Sequence, residues 1–202
     1  SGDENVGGLY GYTTLSNIRK SFATGDVVAS GDNAGGLIGY SAGYGASEVY
    51  ATGNVQTATQ RAGGLIGLQE GGDISDSYAR GNAVAVSPGY YAGGLIGAVN
   101  GTYVRRSYST GTATGTLAVG GLVGYSVGET YIYDSFTTGL VEGDDVTVNS
   151  LVGQDFEGVL ITANAYANAD NNEYCMVGPD SEERVICTLV SIDENPAEFF
   201  AA

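Results

Sequence analysis

The stretch NAGGLIGYSAG, residues 33–43, sets four glycines around a Leu-Ile pair. Leu, Ile and Tyr are strand chemistry, yet glycine inside a strand costs about 0.5–1 kcal/mol against alanine. The stretch nevertheless recurs. GGLYGY starts at Gly7, GGLIGY at Gly35, GGLIGL at Gly63, GGLIGA at Gly93 and GGLVGY at Gly120, with a degenerate NSLVGQ at Asn149. The starts lie 28, 28, 30, 27 and 29 residues apart. A second motif keeps step: SFATG at Ser21, VYATG at Val49, SYARG at Ser77, SYSTG at Ser107, SFTTG at Ser135 and AYANA at Ala165. Two motifs in register at one period are the mark of a solenoid or array.

The units lack apolar residues at helical spacing. They offer short runs of Val, Ile, Tyr, Phe and Thr bounded by Gly, Asn, Asp and Ser, which read as strands between turns. The expected fold is all-β: a parallel β-helix (β-solenoid) of about six coils with 27–30 residues per coil and three short strands in each. A propeller blade takes about 40 residues or more and fits less well. Stacking turns each repeat position into a column with rungs about 4.8 Å apart. Leu9, Leu37, Leu65, Leu95, Leu122 and Leu151 form one column; Phe22, Tyr50, Tyr78, Tyr108, Phe136 and Tyr166 form another. A single coil cannot bury its own inner face, so stability is a nearest-neighbour property.

The glycines then serve bends, where φ > 0 suits them, and places where strand walls approach closely. No helix follows them, so a phosphate-binding role is excluded. One question stays open at this level. Neighbouring strand residues point to opposite faces. If leucine points inward, then Tyr10, Ile38, Ile66, Ile96, Val123 and Val152 form an outward apolar stripe, a candidate interface. The alternative is a glycine bend that turns both columns inward, or another part of the coil that covers the second.

With 23 acidic and seven basic residues the net charge is −16, which repels phosphate backbones and argues against nucleic acid as a partner. No run of 18 apolar residues exists to insert directly into a membrane. The first residues, SGDENVGG, lack signal-peptide character and a starting methionine, so a processed form or an excised piece is expected. Cys175 and Cys187 cannot close a zinc site without histidine. A disulfide between them is expected, worth about 3 kcal/mol by loop entropy and implying an oxidising compartment; two buried free thiols are the alternative.

The paired motifs, over roughly residues 5–169, resemble the GLUG repeat of bacterial and archaeal exported proteins, many of them surface or adhesin-like. The resemblance implies a parallel β-helix outside the cell, extracellular or at the cell surface, and brings no catalytic residues with it. Residues 1–169 are therefore expected to form the solenoid and residues 170–202 a small β cap and tail. Nothing before the first unit is expected to shield its open edge, which invites pairing with a neighbouring repeat or a second copy.

Without histidine, the commonest general base is missing, and no catalytic residue or cofactor is assigned. The acids fall mostly in turns. Calcium has weak candidates in Asp144, Asp145, Asp170 and Glu173, where oxygen ligands cluster without the spacing of a known calcium loop. Four functions are weighed: a noncatalytic adhesive spacer or stalk at the cell surface; a secreted subunit assembling end to end into a filament; a β-helix that binds or cleaves polysaccharide, with a surface glycan or protein as ligand; and ice binding. The last rests on Thr24, Thr52, Thr110 and Thr138, a column that Arg80 and Asn168 interrupt.

Overall fold

The turn of chain that starts at Ala34 shows how the repeat folds. Its short apolar runs become five strand segments: Ala34–Gly35, Ile38–Ala42, Gly45–Ser47, Tyr50–Ala51 and Val55–Thr57. Gly, Asn and Ser between the runs bend the chain after each, so a turn holds five segments rather than three. The computed structural model describes residues 1–86, 90–143, 147–168 and 188–190, with residues 157–159, 189 and 190 described by backbone alone.

Every segment pairs in parallel with its equivalents one repeat away. Ile38 is in register with Tyr10 and Ile66, Ile66 with Ile96, Ile96 with Val123, and Val123 with Val152. The first segments stack into a six-stranded sheet, the last into a five-stranded sheet, and the middle three merge into a sheet of fifteen strands. In the last two turns these middle segments run together as Val123–Thr137 and Val152–Asn168. The molecule is a β-solenoid of about five turns, slightly fewer than the six motif copies suggest. The sixth copy adds Val148–Asn149 and Val152–Asn168 but no described strand to the five-stranded sheet.

Two apolar lobes fill the cross-section. The larger is built from the Leu and Ile/Val columns, and the smaller, alanine-rich one lies between the six- and five-stranded sheets. Leu37, Leu65, Leu95, Leu122 and Leu151 are 0% exposed, and so are Ile38, Ile66, Ile96, Val123 and Val152. Of the two alternatives left open for that second column, the bend holds: Ile38, Ile66, Ile96, Val123 and Val152 face inward with the leucines and form no outward stripe. The reason is the corner. The leucine lies in the bend and the isoleucine opens the next strand, so strict alternation does not apply across the pair.

The corner also explains the glycine pair, by space rather than by backbone freedom. A Cβ on Gly35 would strike the carbonyl of Ile38, and one on Gly36 would strike the Gly64 carbonyl and the Ala51 methyl. Neither glycine has a positive φ. Close approach, not left-handed geometry, is what the motif needs there.

The two ends differ from the interior. Leu9, Tyr10 and Phe22 of the first turn are 45%, 44% and 57% exposed. That turn is not wholly bare: Gly2 bridges Ala29 in parallel, and the Ser30 and Gly31 amides donate to the Gly2 and Asp3 carbonyls. Residues 2 and 3 thus cover one edge expected to lie open. At the other end Thr188–Val190 pairs in parallel with residues 166–168, adding a strand to the stack. The remainder of the expected cap, with Cys175, Cys187 and their expected disulfide, lies outside the described residues.

Leu95→Ala should lower stability by about 2–5 kcal/mol in urea denaturation, as for a cavity in a packed core, whereas Leu9→Ala should cost about 1 kcal/mol or less. Equal losses would contradict the burial pattern.

Candidate functional site

Three surface ladders and the first turn are where this rod meets its surroundings. The first ladder is the corner before each aromatic. Lys20, Glu48, Asp76, Arg106, Asp134 and Asn164 all adopt left-handed φ, between 47° and 56°. A non-glycine residue there costs roughly 1–2 kcal/mol, which a serine hydroxyl offsets where Ser21, Ser77, Ser107 or Ser135 comes next. The Ser77 hydroxyl donates to the Ser75 carbonyl (2.6 Å) across the bend and accepts from the Val49 amide of the preceding turn (3.2 Å). Ser107 and Ser135 repeat the arrangement, each accepting from the serine amide one turn earlier. The leading serine of the second motif is thus a stitch between turns.

All the corner side chains but Asn164 are charged, and with their neighbours they pair from turn to turn. Arg106 grips Asp76 through two bonds of 2.7 Å, Arg105 grips Asp73 through bonds of 3.1 and 2.6 Å, and Glu48 sits 3.1 Å from Arg19 and 3.8 Å from Lys20. The Asn164 amide donates to Asp134. The hydrogen bond from Arg106 holds the Asp76 carboxyl below its usual range. Nearby, the Tyr40 hydroxyl donates to Glu70 of the next turn (2.5 Å), which together with burial pushes its pKa up to about 12.

A second ladder caps backbone amides. Asp26 Oδ1 accepts from the Asn54 amide, Asn54 Oδ1 from Asn82, and Asn82 Oδ1 from Thr112. Sequence reading singled out neither this ladder nor the corner residues. Their only signal was a polar residue at constant spacing with no fixed identity.

The third ladder is the aromatic column, which stands on the outside. Phe22, Tyr50, Tyr78, Tyr108 and Phe136 stack face to face with centroids 4.9–5.0 Å apart and ring planes within 8° of parallel. The alanine after the ring points inward and is buried at Ala51 and Ala79. Stacking covers the ring faces and leaves their edges to solvent. A sugar docks on an aromatic through the face, so the interior of this stack offers no platform of that kind. Beside the rings, Arg80, Tyr108, Thr110, Phe136 and Thr138 line a shallow open groove. Arg80 lies over the Tyr78 ring, 5.1 Å from its centroid. Arg80 occupies the threonine column, so Thr24 and Thr52 are separated from Thr110 and Thr138.

Among the described residues no group of three or more His, Cys, Asp or Glu is placed to hold a metal ion. The weak calcium candidates Asp144, Asp145, Asp170 and Glu173 lie outside the described residues. The first turn concentrates exposed apolar side chains: Leu9, Tyr10, Tyr12, Leu15, Phe22 and Val28. At its end Val6, Gly7, Phe22, Ala23 and Val27 line a second shallow depression.

The model of the GLUG motif matches residues 58–85. Placed on the structure, the match is one full turn, from just before Arg61–Gly63 to the end of Ala83–Ala85. The chain is thus a β-solenoid with a GLUG repeat, and its other units put the same two motifs at equivalent positions. No curated protein and no solved structure matches the chain.

Because Asp76 ionises more readily folded than unfolded, its pairing contributes stability above the ordinary Asp range and loses it as pH falls through the lowered folded pKa. Arg106→Ala should narrow the gap in melting temperature between neutral and acid solution. The effect should be small and should fade at high salt, as befits an exposed pair. An unchanged acid profile at low salt would remove the pair from the account.

Proposed function

We propose that this chain is a noncatalytic structural module of the extracellular space, a stiff spacer or stalk holding a binding partner away from a cell surface. The observation that supports the reading most directly is the unbroken register of the Ile38, Ile66, Ile96, Val123 and Val152 column through successive turns. Such a column makes a rod whose shape is fixed by backbone hydrogen bonds. The chemistry spent on the surface favours the same role: the charged, serine and Asx ladders tie one turn to the next. A role in polysaccharide binding has less support, since the ring faces are stacked away. Ice binding has less as well, because Arg80 breaks the threonine column beside the protruding ring edges. Antibody labelling of intact cells of the source organism tests the location: signal without permeabilisation is expected, and signal only after permeabilisation would defeat the proposal.

A second reading is end-to-end assembly, favoured by the exposed Leu9, Tyr10, Leu15 and Phe22 on the first turn. An edge of this kind is a template for another strand, with a second copy or a neighbouring repeat as its partner. Sedimentation velocity should show oligomers that grow with concentration and disappear in a Leu9→Asp, Leu15→Asp double variant. A monomer at every concentration would leave the spacer alone.

A further inference from the structure

The outer face of the fifteen-stranded sheet changes character along the rod. Side chains alternate there: Val104 and Ile132 are buried, while Tyr103, Arg105, Tyr131 and Tyr133 point outward. Register carries each outward position through the stack. One column reads Asn17, Gly45, Asp73, Tyr103, Tyr131 and Ile161. Beside it stand Arg19, Ser47, Ser75, Arg105, Tyr133 and Ala163. A third column, across the bend, reads Thr14, Ala42, Glu70, Asn100, Val127 and Phe156. Each is small or polar up to the turn before Tyr103, and each carries a tyrosine or an aliphatic side chain level with Tyr131. The fold does not need this change, since the earlier turns stack in the same register on serine, asparagine and aspartate. Tyr103, Phe156 and Ile161 are 41%, 43% and 42% exposed. A contiguous exposed patch of this kind marks an interaction site.

The edge of the patch shows what it can hold. The Arg105 guanidinium lies 5.5 Å from the centroid of the Tyr103 ring and donates two hydrogen bonds, of 3.1 and 2.6 Å, to Asp73. A guanidinium placed this way meets the electron-rich face of a ring and a carboxylate together. One turn on, the position of Arg105 is taken by Tyr133. Tyr131 stacks on Tyr103 at 4.6 Å and stands 6.2 Å from Tyr133, centroid to centroid. Among the described residues no arginine or lysine lies over either of these two rings. Exposed carboxylates flank them: Glu129 accepts from the Tyr131 hydroxyl (3.3 Å), and Asp134 follows Tyr133 at the corner.

Charge narrows the partner further. On a chain of net charge −16, a patch rimmed by carboxylates repels acidic surfaces and draws basic ones. We propose that the outer face around Tyr131 and Tyr133 is a docking surface for an arginine-bearing segment of another protein. Its guanidinium groups lie over these rings and pair with Glu129 and Asp134, and its apolar side chains cover Val127, Phe156 and Ile161. The bound arginines reproduce between two proteins what Arg105, Tyr103 and Asp73 make within one.

The test is titration of the full chain into a fluorescein-labelled peptide of alternating arginine and leucine, read by anisotropy. Binding that weakens with salt is expected. A Tyr131→Asn, Tyr133→Ser double variant gives the face residues that its own earlier turns carry, Asn17 in one column and Ser47 and Ser75 in the other. Each ring removed should weaken binding roughly two- to fivefold, the ratio a cation–π attraction at an exposed site corresponds to. Glu129→Gln should weaken it by about twofold or more at low salt. Glu4→Gln removes the same charge from the first turn and should leave binding unchanged. An unchanged far-ultraviolet circular dichroism spectrum and melting temperature would certify the variants as folded. Should the double variant misfold, Glu129→Gln against Glu4→Gln still decides. Binding indifferent to the tyrosine substitutions, or weakened as much by Glu4→Gln as by Glu129→Gln, would reduce to attraction by the charge of the whole rod and overturn the proposal. So would sedimentation showing that the face closes a dimer of this chain, which the double variant releases.

Discussion

Everything in this molecule depends on one constraint: a backbone that leaves a position must return directly above it one turn later. Parallel pairing then joins Val6 to Ala34, Ala34 to Ala62, Ala62 to Ala92 and onward to Val148. Once that return is met, every side chain sits over its own equivalent. Leucine covers leucine, ring covers ring, and the hydrogen bonds of each turn are completed by the next. The column contents follow from the return rather than cause it. This is why a chain with so much glycine holds a defined shape: glycine sits where two backbones must nearly touch.

The return also decides which residues are structural. Serine in the second motif is too small and polar to look like part of a scaffold. Yet Ser77, Ser107 and Ser135 each close their own bend and accept an amide from the turn before. Asp26, Asn54 and Asn82 act in the opposite sense, accepting from the turn after. The two ends of the rod are therefore chemically unlike, and the rod has a direction.

The repeat, its period and its parallel stacking were legible in the sequence, because motif spacing reports the return directly. The leucine and aromatic positions were legible too, as repeated letters. The facing of Ile38 and its equivalents was not, since alternation holds within a strand and the Leu-Ile pair straddles a corner. The left-handed residues were hidden for another reason: Lys20, Glu48, Asp76, Arg106, Asp134 and Asn164 share a backbone shape and almost no side-chain chemistry. Five segments per turn were also hidden, because segments of two residues, such as Tyr50–Ala51, are too short to show alternation.

The repeat lengths differ, and the structure shows where the difference goes. Between the end of the five-stranded-sheet segment and the Ala34 position of the next turn lie residues 30–33, 58–61, 86–91 and 116–118. The 30- and 27-residue spacings arise at this position, whereas the extra residue of the 29-residue spacing falls between Val127 and Tyr131, beside Asn100 and Tyr103 of the turn before. The longest spacing inserts at the former without disturbing Ile66 over Ile96. Chain can thus be added or trimmed at more than one place in the outline at little cost to the stack, natural ports for displaying variable loops.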